Sequence, residues 1–236
     1  MNVLLLIQDE VSRVVTHVTE APVPVSETVA TMNIWELTLK GGWLMIPIAL
    51  LLFIAIAVFI ERFFVIRKAG KEDSSFMNRI KDHIYDGKID SAINVCKMTN
   101  TPVSRMIEKG ISRLGRPMND ILVAIENVGT IEIAKLEKGF PWIATTAAVA
   151  PMIGFLGTVT GMVRAFFDMA NAGANVDITL LSSGIYEALV TTVAGLIVGI
   201  IALLAYNYLV SRVNSVINKM EAHTMEFMDL LNEPTN

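Results

Sequence analysis

The chain has 236 residues, of which 53% are hydrophobic before glycine is counted, a share above the roughly 45–50% of soluble domains. Its 19 Lys and Arg and its 23 Asp and Glu are absent from three windows, 41–60, 139–163 and 188–211. Each window is long enough to cross the roughly 30 Å hydrocarbon core of a bilayer as a helix. A soluble globular protein is therefore excluded. We predict an all-α integral membrane protein with three transmembrane helices, the second and third of which extend into a helical cytoplasmic domain.

The N-terminal part is predicted to comprise a tail, an interfacial helix and the first span. Residues 1–32 lack periodicity and are rich in Ser, Thr and Val, which indicates a poorly ordered tail. Residues 33–42 open with a capping-box pattern, which predicts a short helix at the membrane surface. Residues 43–66 form the first predicted transmembrane helix, rich in Leu, Ile and Phe as a lipid-facing anchor would be.

Residues 67–139 are predicted to form a helical domain in the cytoplasm. The basic residues Arg62, Arg67 and Lys68 follow the first charge-free window, and positively charged segments near a span stay on the cytoplasmic side. The N-terminus is therefore predicted to lie outside and this domain inside. Apolar spacing near 3.6 residues predicts helices separated by Gly- and Pro-containing breaks, over 74–85, 89–98, 102–114 and 119–138.

Two further transmembrane helices are predicted over 140–168 and 182–208, joined by a short outer loop over 169–181. The apolar stripe continues beyond the third span, which predicts an amphipathic cytoplasmic helix over 209–236. Only tolerated glycines interrupt the helical pattern between 184 and 231. Such a helix would reach about 70 Å at its usual rise, so it must project from the bilayer and pack with the cytoplasmic helices.

Small residues form a stripe on the second span and another on the third. Stripes of this kind allow helices to approach closely inside a membrane. We interpret these residues as helix-packing or partner-facing positions, and packing alone is the more frequent role. The residues are Gly154, Gly157 and Gly161 in the second span, and Ala188, Gly195 and Gly199 in the third.

Glu187 borders the third charge-free window and changes this interpretation. A carboxylate near the membrane centre costs about 2.5 kcal/mol or more, so such a residue usually faces a polar cavity. Thr191 shares its helix face at i+4, and Thr192 lies at the flank toward the small stripe. We predict an ion or proton path lined by Thr158, Glu187, Thr191 and Thr192. The sequence leaves open a second possibility, in which Glu187 lies at headgroup level and only snorkels.

Enzymatic chemistry has no support in the sequence. Cys96 is the single cysteine, so no intramolecular disulfide framework forms, and we interpret this residue as a small apolar core side chain. No Cys/His cluster has zinc-ligand spacing, and no nucleotide-binding or hydrolase motif is present. We therefore predict no enzyme, no cofactor, no metal ion and no nucleic-acid partner.

Two motifs resemble those of a known family. The stretch APMIGFLGTVTGMVRAF over 150–166 resembles the second-span signature of the MotA/TolQ/ExbB proton-channel family. The stretch EALVTTVAGL over 187–196, with AYN over 205–207, resembles the third-span signature. The resemblance covers roughly residues 40 to 220 and is greatest to the ExbB branch, which shares the three-span arrangement and the long outer N-terminal segment. Thr160 departs from the tryptophan that the family usually has at this position.

The resemblance implies a place in the bacterial inner membrane, with a periplasmic N-terminus and a cytoplasmic C-terminus. Five copies would surround a pair of single-span helices from an ExbD- or TolR-like partner, within membrane lipids. A TonB- or TolA-like protein would carry force to the outer membrane. Thr158 and Thr192 would face the partner's essential aspartate, with Glu187 near the same route. Inward-moving protons would protonate and release that aspartate, shifting the central helices against the ring.

Two alternatives remain at this point. One is another motor of the same family, TolQ-like or of the gliding type. The other is a non-conducting membrane scaffold in which the small stripes only pack helices. The sequence also leaves the ion, H⁺ or Na⁺, unassigned. Arg164, at the outer end of the second span, either stabilises the mouth of the path or anchors the helix at headgroups.

Overall fold

The structure, a computed structural model, describes residues 42–71, 75–171 and 178–232, and all regular secondary structure within these ranges is α-helical. The predicted all-α class is therefore confirmed. The predicted tail over 1–32, all but the last residue of the predicted interfacial helix, and residues 172–177 of the predicted loop lie outside the described residues. The helices are α1 Met45–Ala69, α2 Phe76–Tyr85, α3 Ile89–Thr99, α4 Pro102–Ile111, α5 Met118–Glu137, α6 Phe140–Asn171 and α7 Ile178–Asn232.

Within the described residues, α1, α6 and α7 are long and apolar enough to cross a membrane. Their lipid-compatible surfaces include exposed Phe53, Phe155, Phe167 and Leu204. α7 contains 55 residues, which corresponds to about 80 Å of continuous helix. This length is more than twice the hydrocarbon thickness. The prediction of three spans with a long third helix that extends beyond the membrane is confirmed.

A backbone break separates α5 from α6. Gly139 has φ +90°, a left-handed conformation that side chains other than glycine rarely adopt. Lys138 before it is extended, with φ −53° and ψ 126°. The chain therefore changes direction between the last extramembrane helix and the second span.

Outside the spans, α2–α5 pack against the C-terminal half of α7, residues 209–232, and we call this assembly the extramembrane bundle. The ring of Phe227 is fully buried, and it lies so close to Gly110 that a Cβ there would be 2.6 Å from its Cε1. Cys96 is also fully buried, and burial, with a smaller effect of Glu108, raises the pKa of its thiol to about 12. The buried core of the bundle includes Ile80, Met106, Ile107, Ile111, Ile125, Val213, Val216 and Met220.

Charged side chains tie α1, α4 and α5 together. Arg62, buried on α1, donates from Nη1 to the carbonyl oxygen of Lys135 at 3.0 Å and pairs with Glu61. Glu132, buried on α5, accepts a hydrogen bond from Lys135 Nζ at 2.7 Å and another from Arg105. Burial raises the pKa of Glu132, but these two cationic donors outweigh it and bring the pKa below its ordinary value. The carboxylate is therefore held in its charged form inside the bundle.

Candidate ion pathway at the contact of α6 and α7

The backbones of α6 and α7 touch directly, because glycine provides no side chain to separate them. A Cβ added at Gly195 would lie 2.5 Å from the carbonyl oxygen of Ala150, and one at Gly154 would lie 2.9 Å from that of Thr191. Such distances leave no room for a methyl group. The other stripe glycines meet mainly side-chain atoms of the opposite helix, with Gly157 against Thr191, Gly161 against Ala188, and Gly199 against Pro151.

The two stripes predicted from the sequence therefore face each other within one chain. Gly154 is buried on α6, and Ala188 and Gly195 are buried on α7. This arrangement is the packing role expected of small residues in membranes, where close van der Waals contact holds helices together. The other role considered for these residues, contact with a partner, remains a prediction.

The close approach brings the hydroxyls of Thr158 and Thr192 into contact across the two helices. Thr158 Oγ1 also lies 3.1 Å from the carbonyl oxygen of Ala188, and Thr192 Oγ1 lies 2.9 Å from that of Gly154, so the two hydroxyl protons are shared among these three contacts. Both side chains are half-buried. Each hydroxyl is thus fixed in position by the opposite helix, while its lone pairs can still accept a hydrogen bond.

Glu187 lies in a cavity of about 300 Å³ toward the C-terminal end of α6 and the N-terminal end of α7. Its carboxylate lies against the backbone just before α1, where a Cβ at Gly42 would overlap Oε1. Gly42 has φ +66°, so both its conformation and the nearby carboxylate favour glycine. The side chain of Glu187 is half-buried. The carboxylate therefore lies between α7 and the start of α1, in contact with polar surroundings.

Thr191 is the most enclosed of the four residues predicted to line the path. It is buried at 2% exposure, packs on Gly157, and donates to the carbonyl oxygen of Ala188 at 2.8 Å. It nevertheless borders the same cavity as Glu187, whereas Thr158 and Thr192 do not. The structure thus divides the four predicted residues into two pairs. Glu187 and Thr191 share the cavity, and Thr158 and Thr192 contact each other away from it.

Several further residues line the Glu187 cavity, and of these only Arg164 was considered from the sequence as a residue at the mouth of the path. Arg164 and Asp168 are one helical turn apart on α6, and Thr160 and Ser183 add hydroxyls. The i,i+4 spacing of Arg164 and Asp168 could have indicated a shared face, since such pairs are neighbours on a helix. No local signal links Gly42 to Glu187, because they are distant in sequence.

The side chains of this arrangement are of a kind that can bind and release a proton. A carboxylate accepts a proton, and fixed hydroxyls can hydrogen-bond to either form of an acid. Among the residues that the structure describes, no group of three or more His, Cys, Asp or Glu side chains could hold a metal ion. The ion or proton path predicted along these residues remains a prediction.

The chain is similar in sequence to known biopolymer transport and Tol-Pal system proteins. Biopolymer transport protein ExbB-like 1 of Synechocystis sp. is 30% identical over 198 residues, which cover 81% of this chain and 76% of that protein. Biopolymer transport protein ExbB of Neisseria gonorrhoeae is 31% identical over 145 residues, covering 55% and 66%. Tol-Pal system protein TolQ of Haemophilus influenzae is 45% identical over 86 residues, covering 36% and 37%.

A family profile gives the broader assignment. The profile described as the MotA/TolQ/ExbB proton channel family matches residues 98–222. The matched region includes most of the extramembrane bundle, both small stripes, and all four residues of the predicted path. Its description is of channels and not of enzymes. With a relative that is 30% identical over most of both chains, this match identifies the chain as a membrane protein of the MotA/TolQ/ExbB proton channel family.

Proposed function

We propose that the chain is a proton-channel and stator subunit of a bacterial inner-membrane motor, and that the motor converts proton-motive force into mechanical work on a TonB-like protein. The observation that carries the proposal is the pair of hydroxyls, Thr158 and Thr192, in contact across α6 and α7, with Thr192 next in sequence to Thr191, which borders the Glu187 cavity. In this proposal the N-terminus is periplasmic and the C-terminus cytoplasmic. The net charges before and after α1 support that orientation.

The chemistry of the threonine pair suits a transient acid partner. An aspartate on a neighbouring single-span helix, of the ExbD or TolR type, would alternate between neutral and charged forms. Thr158 and Thr192 can hydrogen-bond to both forms without retaining the proton, because a hydroxyl is hardly basic. Each proton that moves inward releases about 2.3 kcal/mol per 100 mV of potential. That energy would shift the partner helices against the ring formed by copies of this chain.

An oligomer is part of the proposal, with a pentamer as the expected form. α6 and α7 leave large apolar side chains exposed around the threonine pair, including Phe155, Phe166, Leu196 and Ile200. Lipid covers part of such a surface in a membrane protein. Neighbouring copies and the partner helices would cover the part that faces the axis of the ring.

The direct test is proton flux through the purified complex in liposomes, with uptake across the outer membrane measured in cells. Thr158→Val and Thr192→Val remove a hydroxyl and keep the side-chain shape. We expect the proton flux of each variant to be lower than that of the wild type by a factor of about ten or more, since the hydrogen bond to an ionising partner is lost. Glu187→Gln, which removes the charge, is expected to reduce flux as well.

Thr145→Val is the matched control. Thr145 is an exposed threonine on α6, more than three turns from Thr158, so its replacement should leave flux unchanged. Full activity of all three variants at 158, 187 and 192 would overturn the pathway assignment and favour a non-conducting scaffold. Equal losses in the control would show that hydroxyl removal acts through helix packing instead.

A TolQ-like role in envelope maintenance is the second candidate. The 45% identity to TolQ of Haemophilus influenzae over 86 residues favours it. The partner that co-purifies from native membranes distinguishes the two roles. A TonB- and ExbD-like pair supports the first role, and a TolA- and TolR-like pair supports the second.

A further inference from the structure

A second cavity, of about 420 Å³, lies between the end of α1 and the middle of α7, far along both helices from the Glu187 cavity. We call it the basic groove. Three cationic side chains border it, from Arg67, Arg212 and Lys219. Its inner wall includes the buried apolar residues Ile66 and Leu209. The groove therefore combines a cationic rim with an apolar wall.

The groove lies at the level where charged residues resume after the apolar windows. Arg212 is the first charged residue after the window 188–211, and Arg67 follows the first window within two turns. The rings of Phe63 and Tyr208 stack beside the groove, with centroids 6.3 Å apart. Aromatic residues and basic residues in this combination are typical of the membrane–water interface. The groove thus opens where phospholipid headgroups lie.

The charge and geometry of the rim suit a phosphate. None of the described residues that line the groove is an acid. Arg212 donates from Nε to the hydroxyl of Tyr208 at 3.0 Å, and its guanidinium lies 5.2 Å from the centre of that ring. The contact fixes the plane of the guanidinium and uses Nε, so its Nη groups are the donors available to a ligand. A planar guanidinium matches the oxygens of a phosphate in a bidentate manner.

We propose that the basic groove binds the headgroup of an anionic phospholipid, with the acyl chains along the apolar surface of α1 and α7. Arg67 and Arg212 contact the phosphate. Each basic residue near an anionic membrane surface contributes about 1 kcal/mol of attraction. The bound lipid would fill the space between the first and third spans where they leave the bilayer.

The test is native mass spectrometry of the purified, delipidated complex in detergent, titrated with dioleoyl phosphatidylglycerol or dioleoyl phosphatidylcholine. We expect the wild type to retain phosphatidylglycerol at least tenfold more tightly than phosphatidylcholine. The double variant Arg67→Gln/Arg212→Gln is expected to weaken phosphatidylglycerol binding by about 30-fold, from two interactions of this size. Millimolar inorganic phosphate should not displace the lipid, because the acyl chains also contribute to binding.

Two further double variants separate the groove from general charge effects. Lys68→Gln/Lys71→Gln removes the same charge at the same end of α1 but from exposed residues that do not line the groove, and should change binding less than twofold. Arg67→Lys/Arg212→Lys keeps the charge but loses the bidentate geometry, so its binding should lie between that of the wild type and that of the glutamine variant. Equal binding of the two lipids to the wild type would overturn the proposal. Displacement of the lipid by inorganic phosphate would also overturn it, as would equal losses of lipid binding in Arg67→Gln/Arg212→Gln and Lys68→Gln/Lys71→Gln. A smaller oligomer mass for Arg67→Gln/Arg212→Gln with unchanged lipid binding would overturn it too.

Discussion

Two regions of α7 pack against their neighbours in opposite ways. In the membrane, Gly195 meets backbone, since a Cβ there would lie 2.5 Å from the carbonyl oxygen of Ala150. In the extramembrane bundle, the glycine at 110 instead makes room for a large ring, that of Phe227, which is completely buried. One contact depends on the absence of side chains and the other on a side chain that fills a space.

The difference follows from the two solvents. In water, the burial of apolar surface stabilises a fold by about 25 cal/mol per Å², so large side chains stabilise the bundle. Lipid tails are as apolar as leucine, so burial yields no comparable gain in the membrane, and helices associate through close backbone packing and interhelical hydrogen bonds. Thr158 and Thr192 supply such hydrogen bonds at the α6–α7 contact. The membrane half of α7 therefore packs by a different rule from its extramembrane half.

The largest expected effect comes from removing the ring in the bundle. Phe227→Ala leaves a cavity beside Gly110 and should lower the free energy of unfolding by about 3–5 kcal/mol. Denaturant unfolding in detergent, followed by circular dichroism, measures the change. Met225→Ala on the same helix is the control, because Met225 is 67% exposed and its loss should have little effect. Equal destabilisation by both variants would contradict the assigned core.

The opposite change, an added methyl group, tests the membrane contact. Gly195→Ala must push α6 and α7 apart, because the methyl group would meet backbone, and should cost about 1–3 kcal/mol. Gly129→Ala in α5 is the matched control. There the methyl group would meet the flexible ends of Met106, 3.1 Å away, and of Met220, 3.8 Å away, so the helix propensity of alanine should leave stability equal or higher. Thermal unfolding midpoints in detergent compare the two, and equal shifts would contradict the distinction.

The smallest effect concerns the ion pairs of the bundle. Glu132→Gln should cost about 1 kcal/mol near neutral pH, because Arg105 and Lys135 are partly exposed and regain water when the pair is lost. The lowered pKa of Glu132 means that its carboxylate stabilises the fold above its ordinary pKa of 4.5, and that this contribution is lost as the pH falls through the lower folded-state pKa.

The measurement is the difference in unfolding free energy between wild type and Glu132→Gln from pH 7 down to pH 3. We expect the difference to shrink below about pH 4.5. Glu126→Gln, at an exposed position on the same helix, should show a much smaller difference throughout. If the difference in unfolding free energy stayed constant across the pH range, Glu132→Gln would act through the shape of its side chain and not through the lost charge.

Much of the fold could be predicted from the sequence because its signals are local. The charge-free windows indicated the spans, and the breaks at Gly87, Asn100 and Gly115 lie between the observed helices. The two small stripes indicated a helix contact, since spacing by three and four residues places them on one face. The length of α7 followed from the lack of proline over its whole extent.

The site was harder to predict. A helical wheel shows which side chains share a face of one helix, but not which residues of two helices lie at the same level. It placed Thr191 beside Glu187 but could not show that Thr192 meets Thr158. Nor could it show that the backbone of Gly42 lies against Glu187. The contact of Glu132 with Arg105 was missed for the same reason, since it joins two helices 27 residues apart in sequence.

Because α7 is one unbroken helix, a tilt of its membrane half also displaces its extramembrane half. At 1.5 Å per residue, about 50 Å of helix separates Thr192 from Phe227. If that helix moves as a rigid rod, a tilt of about 5° at the threonine displaces the phenylalanine by about 4 to 5 Å. A displacement of that size is close to the pitch of a helical turn. Events on the scale of one hydrogen bond inside the membrane are therefore connected, through a single continuous helix, to a movement large enough to repack the bundle outside it.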